Sequence, residues 1–318
     1  MRPIPLSLLS LYADLQQRLQ IADVEPASIS RKKVSGKTHV YAVIKDGSSR
    51  RQKYIGPEEN PETAEIAERH KRAARERAQL KKTVLALKSA GIPAPGVQFG
   101  QILESVALAG LFNRGAILVG TVAYQQFPCL IGAYLPEGAA RTEDADFSAT
   151  RFAIPNLAKG PDLQAILQRA DRTFVPKFAA TDKLPSRFVS ENGLIVEMLT
   201  TRGRNDGPVQ IPALGCAAIP LRFMEYLLED PIEAVVLYGA GVRIKVPDPA
   251  RYAIHKLIVH QVRTNPIKAQ KDLWQAKELI EVYRTRDPDH LDDMIEDATR
   301  RGRTWAKLVK DGLRLAEG

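Results

Sequence analysis

The stretch GAILVGTVAYQQFPCLIGAYLPEGAARTEDADFS, residues 115–148, constrains the chain more than any other. AILV is a short apolar run, and such runs fit strands buried on both faces. It ends at Gly120, where the missing Cβ permits a sharp turn or close approach to a ligand. Thr121 follows, and its hydroxyl suits either the cap of a helix or a donor to an anion. TVAYQQFPCLIGAYL is then expected to be helical, with Pro128 the residue least compatible with that expectation and Ala123 and Tyr124 as packing residues. Two acids come next, Asp144 and Asp146. Alternate side chains of a strand share a face, so the two carboxylates project together and repel unless a cation lies between them. Hard divalent ions take such oxygens together with substrate phosphates, which makes the pair a candidate Mg²⁺ or Mn²⁺ site. A D-x-D in a solvated loop is the simpler alternative.

A chain of 318 residues can hold two or three modules with a substantial core. The net charge of +9 is unevenly placed: residues 31–82 hold 15 Lys or Arg against 7 acids. That concentration can neutralise phosphates and points to RNA or tRNA as a partner, the alternative being a solvated basic surface. No apolar run is long enough for a membrane span. The opening MRPIPLSLLSLYADLQQRL reads as an amphipathic helix, the alternative being a signal peptide. Cys129 and Cys216 have no paired spacing, so neither a zinc ribbon nor a disulfide framework is expected, and the setting reads as cytoplasmic.

Residues 38–55 read as a hairpin turning at Asp46-Gly47. GPEENPETAEI opens a long helix with glutamates first and cations after, which should stop before GIPAPG at residues 91–96. QILESVALAGLFNRG and KGPDLQAILQRAD are further helices. SRFVS and NGLIVEML form a second hairpin, and IEAVVLYGAGVRIKV a third. The remainder reads as three or four helices. Glu197 stands in the apolar GLIVEML, where a buried carboxylate requires a cation or hydrogen-bond donors. His255 and His260 have no ligand pattern around them and are assigned to packing or surface. The expected division is 1–95, a basic hairpin-helix module; 96–220, a core; and 221–318, a hairpin and helical module.

The order LVG-T, helix, D-x-D and then an acid on a later strand resembles the nucleotidyltransferase superfamily that shares its fold with DNA polymerase beta. The resemblance covers roughly residues 97–290. It implies an α+β fold, a mixed sheet flanked by helices, with the N-terminal hairpin and helix and the C-terminal helices attached. It also implies transfer of a nucleoside monophosphate from an NTP to an acceptor hydroxyl. By that resemblance Gly120 and Thr121 contact the triphosphate, and Asp144, Asp146 and Glu197 hold the metal. Two departures are visible: 24 positions separate Gly120 from Asp144, more than in the smaller members, and the third acid is Glu rather than Asp. VPDPARYAIHKLIVHQVRTNPIKAQKDLWQAKELI resembles the corresponding segment of AbiE-type toxins and related proteins. That second likeness implies that Lys256 and Lys271 meet the phosphates and that Asp272 supports the site. A binding protein that keeps this fold without catalysis is the alternative reading.

Overall fold

The computed structural model of the chain describes residues 2–21, 24–46, 49–136, 149–153, 161–178, 183–202 and 207–317. Helix α1 (Leu6–Ile21) precedes three antiparallel strands, β1 (Ser28–Val34), β2 (Lys37–Asp46) and β3 (Ser49–Pro57), ordered β1-β2-β3. The expected hairpin is β2–β3, closed by Asp46 opposite Ser49. Strand β1 is a third member that the polar SISRKKV does not announce by apolar alternation. Helix α2 (Pro61–Ser89) starts as Asn60 accepts from the Glu62 amide at 3.0 Å, with Pro61 in the first helical position. It stops before the Pro/Gly segment as expected and packs on the inner face of the sheet, where Ala42 and Ile44 are buried with Ala27.

The central part begins with α3 (Val97–Leu108), followed by β4 (Ile117–Val119), α4 (Thr121–Tyr124), α5 (Pro128–Ile131) and β5 (Ala149–Ala153). The single helix expected over residues 121–135 is thus two short ones. Pro128 lacks an N–H and takes the first position of α5, where none is needed, so the break falls just before it. Next come α6 (Leu163–Ala170), β6 (Val175–Lys177), β7 (Arg187–Val189), β8 (Ile195–Thr201), β9 (Val209–Ile211) and β10 (Cys216–Leu221). The sheet runs β4-β5-β8-β10-β9, with β7 also on β8 and β6 on β7. It is mixed: β5–β8 and β8–β10 are parallel, while β4–β5 and β7–β8 are antiparallel. Both faces are apolar, as a sheet covered on two sides requires, with Leu118, Phe152 and Met198 on one and Ile117, Val119 and Ala153 on the other.

After α7 (Met224–Leu227), β11 (Ile232–Val236) and β12 (Val242–Val246) form the hairpin expected there, turning on Gly239 and Gly241 at φ 60° and 98°. Four helices close the chain: α8 (Pro249–Val262), α9 (Pro266–Arg286), α10 (Pro288–Arg300) and α11 (Arg303–Glu317). Helix α8 is buried over most of its length and serves as their common core. Helix α1 covers the free edge of β11, because the Tyr12 hydroxyl donates to the Val235 carbonyl at 3.2 Å and accepts from its amide at 2.7 Å. Paired in this way, the edge is no longer open to another strand. Among the described residues no helix is long and apolar enough to cross a membrane.

Candidate active site

The site starts from the end of β4. Ile117, Leu118 and Val119 are all buried, so the strand is anchored, and the chain leaves it through Gly120 at φ 73°, ψ −157°. That region of backbone space is open in practice only to glycine. Gly120 occupies the cap position of α4 and its carbonyl accepts from the Tyr124 amide at 3.1 Å. Thr121 is therefore the first helical residue, and no side chain caps this end. Ala123 and Tyr124 are fully buried, the packing role expected of them.

Strand register brings the next features to the same end of the sheet. Val119 pairs with Arg151, and Arg151 pairs with Glu197. The C-terminal end of β4 and the N-terminal ends of β5 and β8 therefore coincide, with two strand spacings, roughly 10 Å, between Val119 and Glu197. Glu197 is buried, and the cation its burial requires includes Arg187 of β7, whose Nε donates to Oε1 at 2.9 Å while Nη2 donates to the same oxygen. Asp144 and Asp146 lie outside the described residues; β5 begins three residues after Asp146 in the sequence.

A second cluster forms between α8 and α9. Lys256 Nζ donates to Asp272 Oδ1, and Arg263 Nε donates to Oδ2 at 2.5 Å. Lys256 and Asp272 are both buried, at 8% and 3% exposure, so the pair named from the sequence is one internal ion bridge. Burial pushes the Asp272 carboxyl upward, but Lys256 and Arg263 outweigh it and hold the group below its ordinary value. Lys271 stands beside it on α9, half-buried. His255, next to Lys256, is buried with neither ring nitrogen hydrogen-bonded; burial first, and the Lys256 charge second, lower its pKa to about 3. It is a packed neutral imidazole, as expected. His260 Nδ1 lies 2.7 Å from the Ala269 carbonyl.

Tyr252 joins the two clusters. Its hydroxyl lies 3.2 Å from the Gly120 carbonyl and 3.0 Å from Gln275 Oε1, and its ring lies 5.1 Å from Lys256 Nζ. Edge-on packing against Phe127, with ring centroids 5.0 Å apart, fixes the ring in place. The glycine turn and the buried lysine thus belong to one assembly. Tyr252, Gln275, Arg263 and Arg187 were not read from the sequence. Tyr252 stands four residues before Lys256 and Gln275 three after Asp272, so helical spacing was the available signal for two of them.

Chemically, this end of the sheet combines a glycine-formed turn with the buried Glu197 of β8, and Tyr252 links the turn to the Lys256–Asp272 bridge. Among the described residues no group of three or more His, Cys, Asp or Glu is arranged to hold a metal. A nucleotidyltransferase family model matches residues 98–300, well over half of the chain, and the protein belongs to that family. The match opens in α3 and closes at the end of α10, leaving α1, the β1–β3 sheet and α2 outside it on one side and α11 on the other. No curated protein and no solved structure matches the chain.

Proposed function

We propose that the protein transfers a nucleoside monophosphate from an NTP to an acceptor hydroxyl, with release of pyrophosphate. The observation that carries this reading is the convergence of the Gly120 turn with the starts of β5 and β8, inside the segment matched by the family. In this reading Gly120 and Thr121 hold the triphosphate, while Lys256 and Lys271 offset its charge and Asp272 orients Lys256. Asp144 and Asp146 hold Mg²⁺ or Mn²⁺, with Glu197 as third ligand once Arg187 yields its place. Their oxygen donors suit a hard cation, which when bound lowers the pKa of the acceptor hydroxyl and offsets leaving-group charge. The acceptor oxygen forms a bond to the α-phosphorus as the bond from that phosphorus to the bridging oxygen breaks, pyrophosphate departs and the hydroxyl proton passes to solvent.

RNA, tRNA included, is the acceptor class this reading favours, because the basic sheet and α2 lie outside the family match; a protein hydroxyl is the competing class. The modules proposed are 1–95 for the acceptor, 96–220 for chemistry and 221–318 for support. The likeness to AbiE-type toxins belongs to this proposal, as does a place in a toxin-antitoxin pair. The same basic module also favours the second reading, a nucleic-acid-binding protein that keeps the fold without catalysis.

The test incubates the purified protein with each labelled NTP, Mg²⁺ or Mn²⁺ and total RNA, beside the Asp144→Asn/Asp146→Asn variant. Label entering RNA or protein only with intact acids supports the transferase. Equal RNA retention by both forms, with no transfer by either, favours the binding protein.

A further inference from the structure

The β1–β3 sheet carries four Lys or Arg on each face, Lys33 and Lys53 joining Arg31 and Arg51 on the inner one. Arg31 and Arg51 share the strand parity of the buried Val40 and Ile44, and both are ion-paired, Arg31 with Glu58 at 2.5 Å and Arg51 with Glu25 at 3.1 Å. The opposite parity, facing away from α2, carries Lys32, Lys37, His39, Tyr41, Arg50 and Tyr54. No described strand residue of that parity is acidic. Of the eight Lys or Arg between Ser28 and Pro57, four (Lys32, Lys37, Lys45 and Arg50) have the outer parity, and the single acid of that stretch, Asp46, has the inner one.

Three rings lie at its centre. Tyr41 stands opposite Tyr54 with centroids 5.3 Å apart, and His39 is 5.7 Å from Tyr54, its Nδ1 3.0 Å from the Tyr54 hydroxyl. Lys32 Nζ sits 5.2 Å from the Tyr41 ring centre and donates to Gln52 at 2.7 Å. Tyr54 is 51% exposed, a large ring left in water, while His39 and Tyr41 are half-buried. Aromatic rings held open on a sheet and bordered by cations are the elements that bind single-stranded nucleic acid. Bases stack on the rings, tolerant of sequence, while the cations follow the phosphates. A duplex hides its base faces and could use only the charge.

We infer that this outer face binds single-stranded RNA, stacking unpaired bases on Tyr41 and Tyr54 and holding the backbone with Lys32, Lys37 and Arg50. The inference rests on the transferase reading only in choosing RNA over DNA, because an RNA end presents the acceptor hydroxyls. It gives the N-terminal segment outside the family match the task of holding the acceptor.

The experiment measures anisotropy of a labelled oligouridylate of about 12 nucleotides, a length in the range of single-strand sites, with the full chain and no NTP or metal. The wild type should bind, more weakly as salt rises. Tyr41→Ala/Tyr54→Ala should lose about fivefold or more in affinity, whereas Tyr41→Phe/Tyr54→Phe, which keeps both rings, should stay near wild type. Tyr54→Ala alone, at an exposed position, separates lost stacking from lost folding when its melting curve matches that of the wild type. Lys32→Gln/Lys37→Gln should flatten the salt dependence. No wild-type binding, unchanged affinity after ring removal, or equal or tighter binding of single-stranded DNA or duplex RNA would overturn the assignment. Because the assay contains no substrate, a failed transfer assay and a failed binding assay remain separate results.

Discussion

The Tyr252 hydroxyl lies within hydrogen-bonding distance of both the Gly120 carbonyl, at 3.2 Å, and Gln275 Oε1, at 3.0 Å. A phenol on α8 thereby fixes the turn that follows β4. Tyr252→Phe keeps the ring against Phe127 and removes only this link. The expected cost is about 1 kcal/mol of stability, with a larger relative effect on NTP affinity than on the fold. Thermal melts with and without NTP measure both, and an unchanged ligand-induced shift would detach the turn from nucleotide binding.

Gly120→Ala puts a Cβ on a residue at φ 73°, ψ −157°. A penalty of about 1–3 kcal/mol follows for the forced backbone, together with displacement of Thr121 and loss of transfer. Urea unfolding beside a transfer assay checks it; a variant as stable and as active as the wild type would show that the turn tolerates a side chain.

Asp272 holds two cations, so removing it should cost more than removing either one. Asp272→Asn is expected to destabilise by about 3–5 kcal/mol, and Lys256→Met by less, because Arg263 keeps its bridge to the acid. Since the folded-state pKa of Asp272 is lowered, its contribution is complete above the ordinary carboxylate value and disappears as pH falls through the lowered one. Chemical denaturation of both variants at neutral and acid pH measures the order and the trend.

His255 gives a different acid response. The unfolded imidazole takes a proton near its ordinary pKa of 6.5, whereas the folded one resists until about 3, so the unfolded state binds more protons between those values. Stability should therefore rise with pH across that window, with a contribution of about 1.4 kcal/mol per pH unit. His255→Phe should remove that part of the slope. Equal slopes for variant and wild type, from urea titrations at several pH values, would show that the imidazole is not titrating in this way.

Much of the fold was legible because its signals are local. Asn60-Pro61 starts α2, Gly193 turns the β7–β8 hairpin at φ 76°, and the apolar AILV is β4. The break between α4 and α5 was visible only as Pro128, since local pattern cannot say whether a proline ends one helix or starts the next. Strand β1 was missed because its residues are polar on both faces, and β9 because three residues hold too little pattern. At the site, Lys256 and Asp272 were named by resemblance and meet in space, while Arg187 as the counterion of Glu197 follows from register between strands, which no single segment encodes.

The clasp between Tyr12 and Val235 spans 223 positions of sequence. At synthesis rates of about 5–20 residues per second, α1 leaves the ribosome roughly 10–45 seconds before the strand it covers exists. For that interval Tyr12 and Leu15 have no partner on β11. Until the hairpin arrives, the apolar face of α1 has no β11 surface to bury against, so this part of the fold closes only after most of the chain has been made.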